Sequence, residues 1–452
     1  MTNINNIKSI YFVGIGGIGM SAIARYFNAQ GKKIYGYDKT RTSLTQELEN
    51  ENCTIFYADN ENSIIKNIDL VVYTPAIPTD SIILNYYNQF QNLTFKRSAV
   101  LGLITQHAFT IAVAGTHGKT TTSTMIAHIL KDSNYGCSAF LGGISANYQT
   151  NFWSDKKNVV VVEADEYDRS FLTLHPDIAV ITSTDPDHLD IYATTESFKQ
   201  GFIDFTKNIK NNGLLFLKNK VLDLNDNPTK IILYDNNQNN QKNSIYPIDI
   251  SINNGAYNFT IHHPKINKEI FELHMGGLHN IENAVVAIGV ALELNIDIEK
   301  IKKAIANFKG VKRRFEYKIN TPNQVLIDDY AHHPTELKAL INGIKNLYPN
   351  EPFTLVFQPH LYSRTNDFKK EFATILSEAN NIILLPIYAA REKPIDGVTS
   401  EMLLNKISNP HKMLLEVNDF YAWVKTNKPK LLVMAGAGDI DVVIEKTKII
   451  LQ

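Results

Sequence analysis

The 452-residue chain has few cysteines, no long apolar run and almost no net charge. Its two cysteines, Cys53 and Cys137, form neither a disulfide framework nor a familiar zinc motif. No apolar run approaches the length of a membrane helix, about 20 residues, and no signal-peptide pattern precedes the first apolar strand. The net charge of −1 gives no bias toward nucleic acid. We therefore expect a cytoplasmic protein with neither nucleic-acid binding nor membrane insertion.

The composition is typical of a globular protein, with 44% hydrophobic and 20% charged residues. The length exceeds what one hydrophobic core usually supports. Short apolar runs alternate with helix-like stretches, which predicts α/β domains with parallel sheets. We predict three domains: a Rossmann-like domain at 1–107, a central α/β domain at 108–313, and a Rossmann-like α/β domain at 314–452. The asparagine-rich stretch from Asp223 to Ser244 is predicted to form loops or an insertion.

A glycine-rich turn with a lysine follows the apolar run from Phe109 to Ala114 and precedes a helix-like segment. Such a turn directs backbone N–H groups, the positive end of a helix and an ammonium group to one point, which suits the phosphates of ATP. The usual pattern has a glycine where this chain has Val113, so the loop is short. The predicted ATP-binding residues of this loop are Gly115, Thr116, His117, Gly118, Lys119, Thr120 and Thr121.

A second glycine pattern follows the first apolar strand, and Asp38 ends the next strand about twenty residues later. Because such a turn lets a diphosphate approach the backbone, it serves NAD and a UDP-linked sugar equally well. A purely structural glycine turn is a further alternative. The predicted substrate-binding residues are Gly14, Gly16, Gly17, Ile18, Gly19 and Asp38.

Acidic clusters follow two further apolar strands. Glu163 comes directly after the strand from Asn158 to Val162, and His188 lies in the cluster after the next strand. Because parallel strands end at one edge of a sheet, we expect both side chains near the phosphate loop, where a hard cation such as Mg²⁺ takes oxygen ligands. The acids around them are expected to be mostly solvated loop charges: Asp165, Glu166, Asp168, Asp187 and Asp190.

Polar residues are also grouped in the second half of the chain. His279, Asn280 and Asn283 open a helix-like stretch, where asparagine side chains suit an adenine edge but are equally common as helix caps. Arg314 lies in a basic run after Gly310 and suits a phosphate-facing hinge. Two clusters after carboxyl-terminal strands contain groups that bind a small zwitterion or a metal-bound phosphate. Their candidate residues are Asp329, Tyr330, His332, His360 and Arg364.

In kind and in order, these segments resemble the Mur ligases. The matching segments are Gly14 to Ser21, Gly115 to Thr121, Glu163 to Asp168, Asp187 to Asp190, His279 to Asn283, Lys312 to Phe315, Asp328 to Glu336, Phe357 to Thr365 and Ala435 to Ile440. The resemblance implies an enzyme of peptidoglycan precursor synthesis that uses ATP and Mg²⁺ to join L-alanine to the lactyl carboxylate of UDP-N-acetylmuramate. It also implies an acyl-phosphate intermediate and release of ADP and phosphate. By the same resemblance, residues 1–107 would bind the UDP-substrate, residues 108–313 would form a P-loop ATPase-type domain that binds ATP, and residues 314–452 would bind the amino acid.

The resemblance implies roles for single residues as well. Lys119 would hold the γ-phosphate, Thr120 with Glu163 would bind one magnesium ion, and Glu163 with His188 a second one. The other implied contacts are His279, Asn280 and Asn283 near the adenine, Arg314 near the phosphates, Asp329 with ATP or the alanine end, and Tyr330, His332, His360 and Arg364 at the alanine end. The implied catalytic residues are Lys119, Glu163, His188 and Arg364.

Two positions depart from the family pattern. Leu361 stands where these ligases often have an arginine, and Lys199 has no clear match to the carbamoylated lysine of related ligases. Three alternative functions remain at this point: a family member that recycles cell-wall tripeptides, a nicotinamide-dependent dehydrogenase, and a non-catalytic sugar-nucleotide sensor. We expect a monomer or a weak homodimer.

Overall fold

The computed structural model describes residues 6–90, 93–185, 189–192, 194–224, 229–235, 243–253, 256–266, 268–390 and 392–452. These residues form three β-sheets with helices between the strands. The predicted α/β class is therefore confirmed. Among the helices of the described residues, none combines the length and apolarity needed to span a membrane.

The first sheet has five parallel strands in the order β3-β2-β1-β4-β5. Its strands are β1 (Ser9–Val13), β2 (Lys33–Tyr37), β3 (Thr54–Phe56), β4 (Leu70–Tyr73) and β5 (Thr94–Lys96). Its helices are α1 (Ile18–Ala29), α2 (Ser43–Asn50), α3 (Ile82–Asn88) and α4 (Arg97–His107). The strand order reverses at β1, and in open α/β sheets a ligand crevice forms at such a point.

The second sheet has ten strands in the order β15-β14-β13-β12-β11-β10-β6-β9-β7-β8. The strands are β6 (Phe109–Ala114), β7 (Ser138–Ser145), β8 (Thr150–Trp153), β9 (Val159–Ala164), β10 (Ile178–Ile181), β11 (Leu214–Lys218), β12 (Lys230–Tyr234), β13 (Ser244–Asn253), β14 (Ala256–His262) and β15 (Ile270–Leu273). The helices that follow or separate them are α5 (Lys119–Asp132), α6 (Leu189–Tyr192), α7 (Thr195–Lys207), α8 (Leu278–Glu293) and α9 (Ile298–Asn307).

The strands that carry the phosphate loop lie in the middle of this second sheet. β6 pairs in parallel with β9 on one side and β10 on the other. All of β10 and all but the first residue of β6 are buried, which explains their continuous apolar sequences. The stretch from Asp223 to Ser244 was predicted to be loops or an insertion, and β12 lies within it, so the loop alternative is wrong for this part. Its Ile231, Ile232 and Leu233 supply the apolar residues of an extra parallel strand.

The third sheet has the order β16-β17-β21-β18-β19-β20, with β16 antiparallel to β17 and the other pairs parallel. Its strands are β16 (Glu316–Asn320), β17 (Val325–Asp329), β18 (Thr354–Phe357), β19 (Asn381–Leu384), β20 (Lys412–Leu414) and β21 (Leu431–Ala435). Its helices are α10 (Pro334–Leu347), α11 (Tyr362–Asp367), α12 (Lys369–Leu376), α13 (Ser400–Lys406), α14 (Val417–Asn427) and α15 (Ile440–Leu451).

Internal contacts divide the chain into two compact units. The first unit comprises Met1–Ile248, Thr260–Ile270 and Glu282–Ile305, and the second comprises Asp249–Phe259, Phe271–Ile281 and Ala306–Gln452. The first sheet and the phosphate loop belong to the first unit, and the third sheet belongs to the second. The domain boundaries at residues 107 and 313 remain predictions.

Candidate active site

The phosphate loop connects the end of β6 to the start of α5, and two glycines make this connection possible. Gly115 has a φ of +133°, and a Cβ there would lie 2.1 Å from Thr182 Oγ1. Gly118 has a φ of +81° and immediately precedes the helix. Both conformations favour glycine. Val113 lies inside β6 and is fully buried, so the loop is short because the strand continues through the position of the usual first glycine.

The loop is held by the end of β10. Thr116 N donates to Ser183 O at 3.3 Å, and His117 N donates to Ser183 Oγ at 2.8 Å. The Thr116 hydroxyl donates to the carbonyl of Asp185 at 2.7 Å. Sequence analysis did not identify Ser183, because a serine after a strand carries no distinctive signal until the pairing of β6 with β10 is known.

Lys119, the first residue of α5, contacts a buried carboxylate. Its ammonium donates to Glu166 Oε1 at 2.8 Å and lies 2.7 Å from Glu166 Oε2. It also donates to the carbonyl of Gly115 at 2.6 Å. Glu166 is only 1% exposed. The expectation that Glu166 is a solvated charge was therefore wrong, whereas Asp165 and Asp168 are exposed as expected.

Thr120, the next residue, contacts Glu163 at the end of β9. The Thr120 hydroxyl donates to Glu163 Oε1 at 3.0 Å, and Gly142 N donates to Glu163 Oε2 at 3.0 Å. Burial raises the pKa of Glu163, and the Thr120 hydroxyl and the Lys119 charge oppose that rise. A hydroxyl and a half-buried carboxylate that benefits from a nearby cation fit Mg²⁺.

Of the remaining residues predicted for the phosphate loop and the metal site, the structure describes only some. Thr121 lies half-buried in the first turn of α5. His188 and Asp187 lie outside the described residues. Within the described residues, no group of three or more His, Cys, Asp and Glu side chains is arranged to hold a metal.

The glycine turn after β1 is organised by β2 and by Asp38. Gly14, at a φ of +91°, donates its N–H to the carbonyl of Tyr37 at 2.8 Å. Asp38 Oδ2 accepts the N–H of Gly16 at 2.8 Å, and a Cβ on Gly16 would lie 2.8 Å from that oxygen. Gly17 then precedes α1. The carboxylate of Asp38 thus fixes the turn itself.

A cavity of about 1010 Å³ extends from this turn to the end of β9. Of the predicted substrate-binding residues, Gly14, Gly17, Ile18, Gly19 and Asp38 line it, and Gly16 does not. Glu163, Gly142 and Arg97 also line it. Arg97, which sequence analysis missed, is the first residue of α4 and approaches Gly19 so closely that a Cβ there would lie 2.8 Å from Arg97 Nη1. A cation directly after a parallel strand was the signal that could have revealed it.

The predicted adenine residues fall into both units. Asn283, in the first unit, accepts a hydrogen bond from the Thr122 hydroxyl at 3.0 Å and lies beside Gly118 of the phosphate loop. Asn280, in the second unit, donates its side-chain amide to the carbonyl of Gly276 at 2.6 Å. His279 is exposed.

Asp329 and Arg314 lie near the end of β17 in the second unit. Asp329 accepts the N–H groups of Phe315 at 2.7 Å and Ala331 at 2.8 Å. Burial raises the pKa of Asp329 to about 6, and the Arg314 charge opposes the rise. Arg314 Nη1 lies 3.8 Å from Glu336 Oε1. The carboxylate of Asp329 thus organises the turn after β17.

Four of the predicted residues form one cluster in the second unit. The Tyr330 and His332 rings are 5.2 Å apart, and the His332 and His360 rings are 6.0 Å apart. Arg364 Nη1 lies 3.2 Å from His360 Nδ1. Burial, followed by the charges of Arg364 and His332, lowers the pKa of His360. The cluster therefore offers the Arg364 cation beside the His360 imidazole.

Two neighbours of this cluster have structural roles that the sequence did not reveal. His333 caps α10, whose first residue is Pro334, in a reciprocal arrangement with Glu336. Leu361 has a φ of +68°, a left-handed conformation rarely adopted by leucine, and donates its N–H to Tyr388 O at 2.9 Å. This conformation precedes α11, which carries Arg364.

Three family models match most of the sequence: "Mur ligase family, catalytic domain" at residues 9–108, "Mur ligase middle domain" at 113–291, and "Mur ligase, glutamate ligase domain" at 313–444. The UDP-N-acetylmuramate–L-alanine ligase of Christiangramia forsetii is 44% identical over 99% of this chain and 98% of its own length. This chain belongs to the Mur ligase family. The corresponding ligase of Porphyromonas gingivalis strain W83 is 45% identical over 99% of both chains.

Solved structures agree with the assignment to the Mur ligases. The UDP-N-acetylmuramate-alanine ligase MurC of Thermotoga maritima matches with a TM-score of 0.78 and 25% identity, covering 97% of this chain and 98% of that one. A murein peptide ligase of Psychrobacter arcticus matches with a TM-score of 0.64 and 23% identity, covering 98% of both chains. The second likeness concerns the fold alone.

In this Mur ligase, Gly115→Ala should lower the free energy of unfolding by about 2 kcal/mol or more, because the new Cβ combines a left-handed backbone with a close contact. Gly17→Ala is the matched control. Gly17 has a φ of −68°, and its Cβ would meet only ordinary contacts, the nearest at 3.7 Å. We expect it to stay within about 1 kcal/mol of the parent. Urea unfolding of both variants measures the difference, and equal stabilities would contradict the steric role of Gly115.

Proposed function

We propose that this protein catalyses the ATP-dependent ligation of L-alanine to the lactyl carboxylate of UDP-N-acetylmuramate, releasing ADP and phosphate. The observation that carries the proposal is the cavity that joins the glycine turn after β1 to Glu163, which contacts Thr120 at the start of α5, where the phosphate loop ends. A substrate whose diphosphate lies at the turn would extend its other end toward the phosphate loop. The names of the full-length relatives support the same reaction.

In this proposal each of the three domains binds a different substrate. Residues 1–107 bind the UDP-substrate, residues 108–313 bind ATP, and residues 314–452 bind the amino acid. The turn from Gly14 to Gly17 leads into the amino-terminal end of α1, and a glycine turn before a helix is where other nucleotide-binding proteins place a diphosphate. Because both nucleotides are metabolites of the cell interior, we propose a cytoplasmic location.

The chemistry requires activation of a carboxylate. An oxide ion is a poor leaving group, so the lactyl carboxylate first attacks the γ-phosphorus of ATP and ADP departs. The amine of L-alanine then attacks the resulting acyl phosphate, and the carbon–oxygen bond breaks to release phosphate. Lys119 and the N–H groups at the start of α5 offset the negative charge that gathers during the first transfer.

Thr120 and Glu163 would hold a magnesium ion in this site. Bound Mg²⁺ neutralises charge on the transferred phosphoryl group. Glu163 supplies an anionic oxygen, and Gly142 N keeps its second oxygen oriented. We propose His188 as a second metal-binding residue on the family pattern alone.

L-Alanine requires a partner for its carboxylate, and we propose Arg364. Arginine can meet both oxygens of a carboxylate at once. His360 lies beside it, and burial and the Arg364 charge lower the pKa of its imidazole, which disfavours a second positive charge there. Tyr330 and His332 complete the same cluster.

The proposal is tested by phosphate release from ATP in the presence of UDP-N-acetylmuramate and a panel of amino acids. We expect release that depends on both the sugar nucleotide and L-alanine, together with a ligated product of the corresponding mass. Release of phosphate from ATP without an amino acid would favour a sensor or a simple ATPase. A requirement for a tripeptide in place of L-alanine would favour the recycling ligase, and oxidation of a substrate with NAD would favour a dehydrogenase.

Glu163→Gln should raise the magnesium concentration for half-maximal activity by at least about tenfold, because an amide replaces an anionic ligand. The matched control is Asp168→Asn, which removes one charge from an exposed side chain in the same segment. Its magnesium dependence should equal that of the parent. Magnesium titrations that coincide for the two variants would show that Glu163 is not the ligand.

Arg364→Ala should lower kcat/KM for L-alanine by about ten- to a hundredfold, because a charge-assisted hydrogen bond is lost. The KM for ATP should change little. Lys370→Ala removes an exposed cation close in sequence and serves as the control. Steady-state kinetics distinguish the two, and an unchanged alanine dependence in Arg364→Ala would move the carboxylate site to other residues.

A further inference from the structure

The buried carboxylate of Glu166 has no role in the reaction as proposed so far. Lys119 makes three hydrogen bonds, to Glu166 Oε1 at 2.8 Å, to Gly115 O at 2.6 Å and to Thr116 O at 3.5 Å. An ammonium group has three N–H donors, so each of them has an acceptor. Glu166 Oε2 is also only 2.7 Å from the same ammonium. The side chain of Lys119 is 13% exposed and that of Glu166 is 2% exposed.

The position of Glu166 is fixed from its backbone. The hydroxyl of Tyr192, a fully buried residue, donates to the Glu166 carbonyl at 2.7 Å. Arg169 N donates to the same carbonyl at 3.0 Å. Asp168 and Arg169 both have a φ of +53°, so the chain turns sharply directly after Glu166. The carboxylate is therefore a fixed feature of the loop.

All three N–H groups of the Lys119 ammonium already have acceptors. If the ammonium is to bind a phosphate oxygen, one N–H must therefore leave its present acceptor. Loss of the charged partner would leave a carboxylate buried without compensation, which is strongly destabilising. Loss of a neutral carbonyl acceptor is far less costly, because the two loop carbonyls contribute no net charge. The exchange that preserves the ion pair is therefore the favoured one.

We propose that Glu166 is a positioning residue that anchors the ammonium of Lys119 at the phosphate loop. When ATP binds, the ammonium turns an N–H from a loop carbonyl to a phosphate oxygen and keeps its contact with Glu166. This inference rests on the proposed function, because it assumes that the loop binds ATP. Glu166 touches no substrate and acts only through Lys119.

The test is calorimetry of ATP binding to Glu166→Gln in the presence of Mg²⁺. We expect the Kd for ATP to rise about tenfold, the scale of one charge-assisted hydrogen bond, while the KM for L-alanine stays unchanged. Asp168→Asn, the control, removes the same charge from an exposed side chain and should bind ATP within about twofold of the parent. ATP binding to Glu166→Gln that equals or exceeds the parent's affinity would overturn the proposal, because the carboxylate would then be a competitor of the phosphate.

The same substitution in a Lys119→Ala variant tests whether Glu166 acts through Lys119 or only through the stability of the fold. Lys119→Ala leaves Glu166 buried without its cation, so adding Glu166→Gln to Lys119→Ala should raise the Tm, whereas Glu166→Gln alone should lower it. In the Lys119→Ala background, Glu166→Gln should cause no further loss of ATP affinity. An additional tenfold loss there would overturn anchoring through Lys119. If Lys119→Ala alone binds ATP as the parent does, the proposed ATP site is wrong rather than the ion pair.

Glu166→Asp provides an independent test if Glu166→Gln does not fold. It keeps the charge but withdraws the carboxylate by one methylene group. We expect a loss of ATP affinity in the same direction as for Glu166→Gln but smaller. Full affinity in Glu166→Asp would overturn the proposal, because the contact distance would then be irrelevant to ATP binding.

Discussion

Two neighbouring residues at the start of α5 are each bonded to a carboxylate of the segment that ends β9. Lys119 pairs with Glu166, and Thr120 pairs with Glu163. The two carboxylates differ in the groups that contact them. Glu166 is in direct contact with the Lys119 ammonium, whereas the hydrogen bonds to Glu163 come from a hydroxyl and a backbone N–H. A cation bound at Glu163 would offset the cost of burying that carboxylate. This division lets one short segment both hold the lysine and offer a metal ligand.

The same end of β9 also determines the shape of the cavity. Gly142 lies against Glu163, and a Cβ there would come within 2.5 Å of its carboxylate. The glycine therefore keeps the carboxylate close to the backbone and leaves the cavity open beside it. At the far end, the turn after β1 is held by Asp38, and the Arg97 guanidinium approaches it from α4. The cavity thus has rigid walls at both ends, which favours a single binding pose.

Sequence patterns predicted the features that depend on local backbone geometry. The glycine turns and the parallel strands before them follow from residues that are adjacent in the chain. The patterns did not reveal which acid among neighbours is buried, because Glu163 to Asp168 contains four carboxylates in six residues. Ser183 and Arg97 were missed for a similar reason, since their roles arise only from strand pairing or close approach. The left-handed backbone conformation of Leu361 could not be predicted from the sequence, because leucine rarely adopts it.

The ion pair between Lys119 and Glu166 joins residues separated by 47 positions, and the contact between Thr122 and Asn283 spans 161. The phosphate loop therefore leaves the ribosome well before its partners do. Until β9 has been synthesised and has paired with β6, the lysine has no counter-charge, and until β10 follows, the loop lacks the contacts that hold it. The nucleotide site is consequently a late product of chain synthesis, and a truncated nascent chain that ends before β9 would contain the complete loop sequence without its defining contacts.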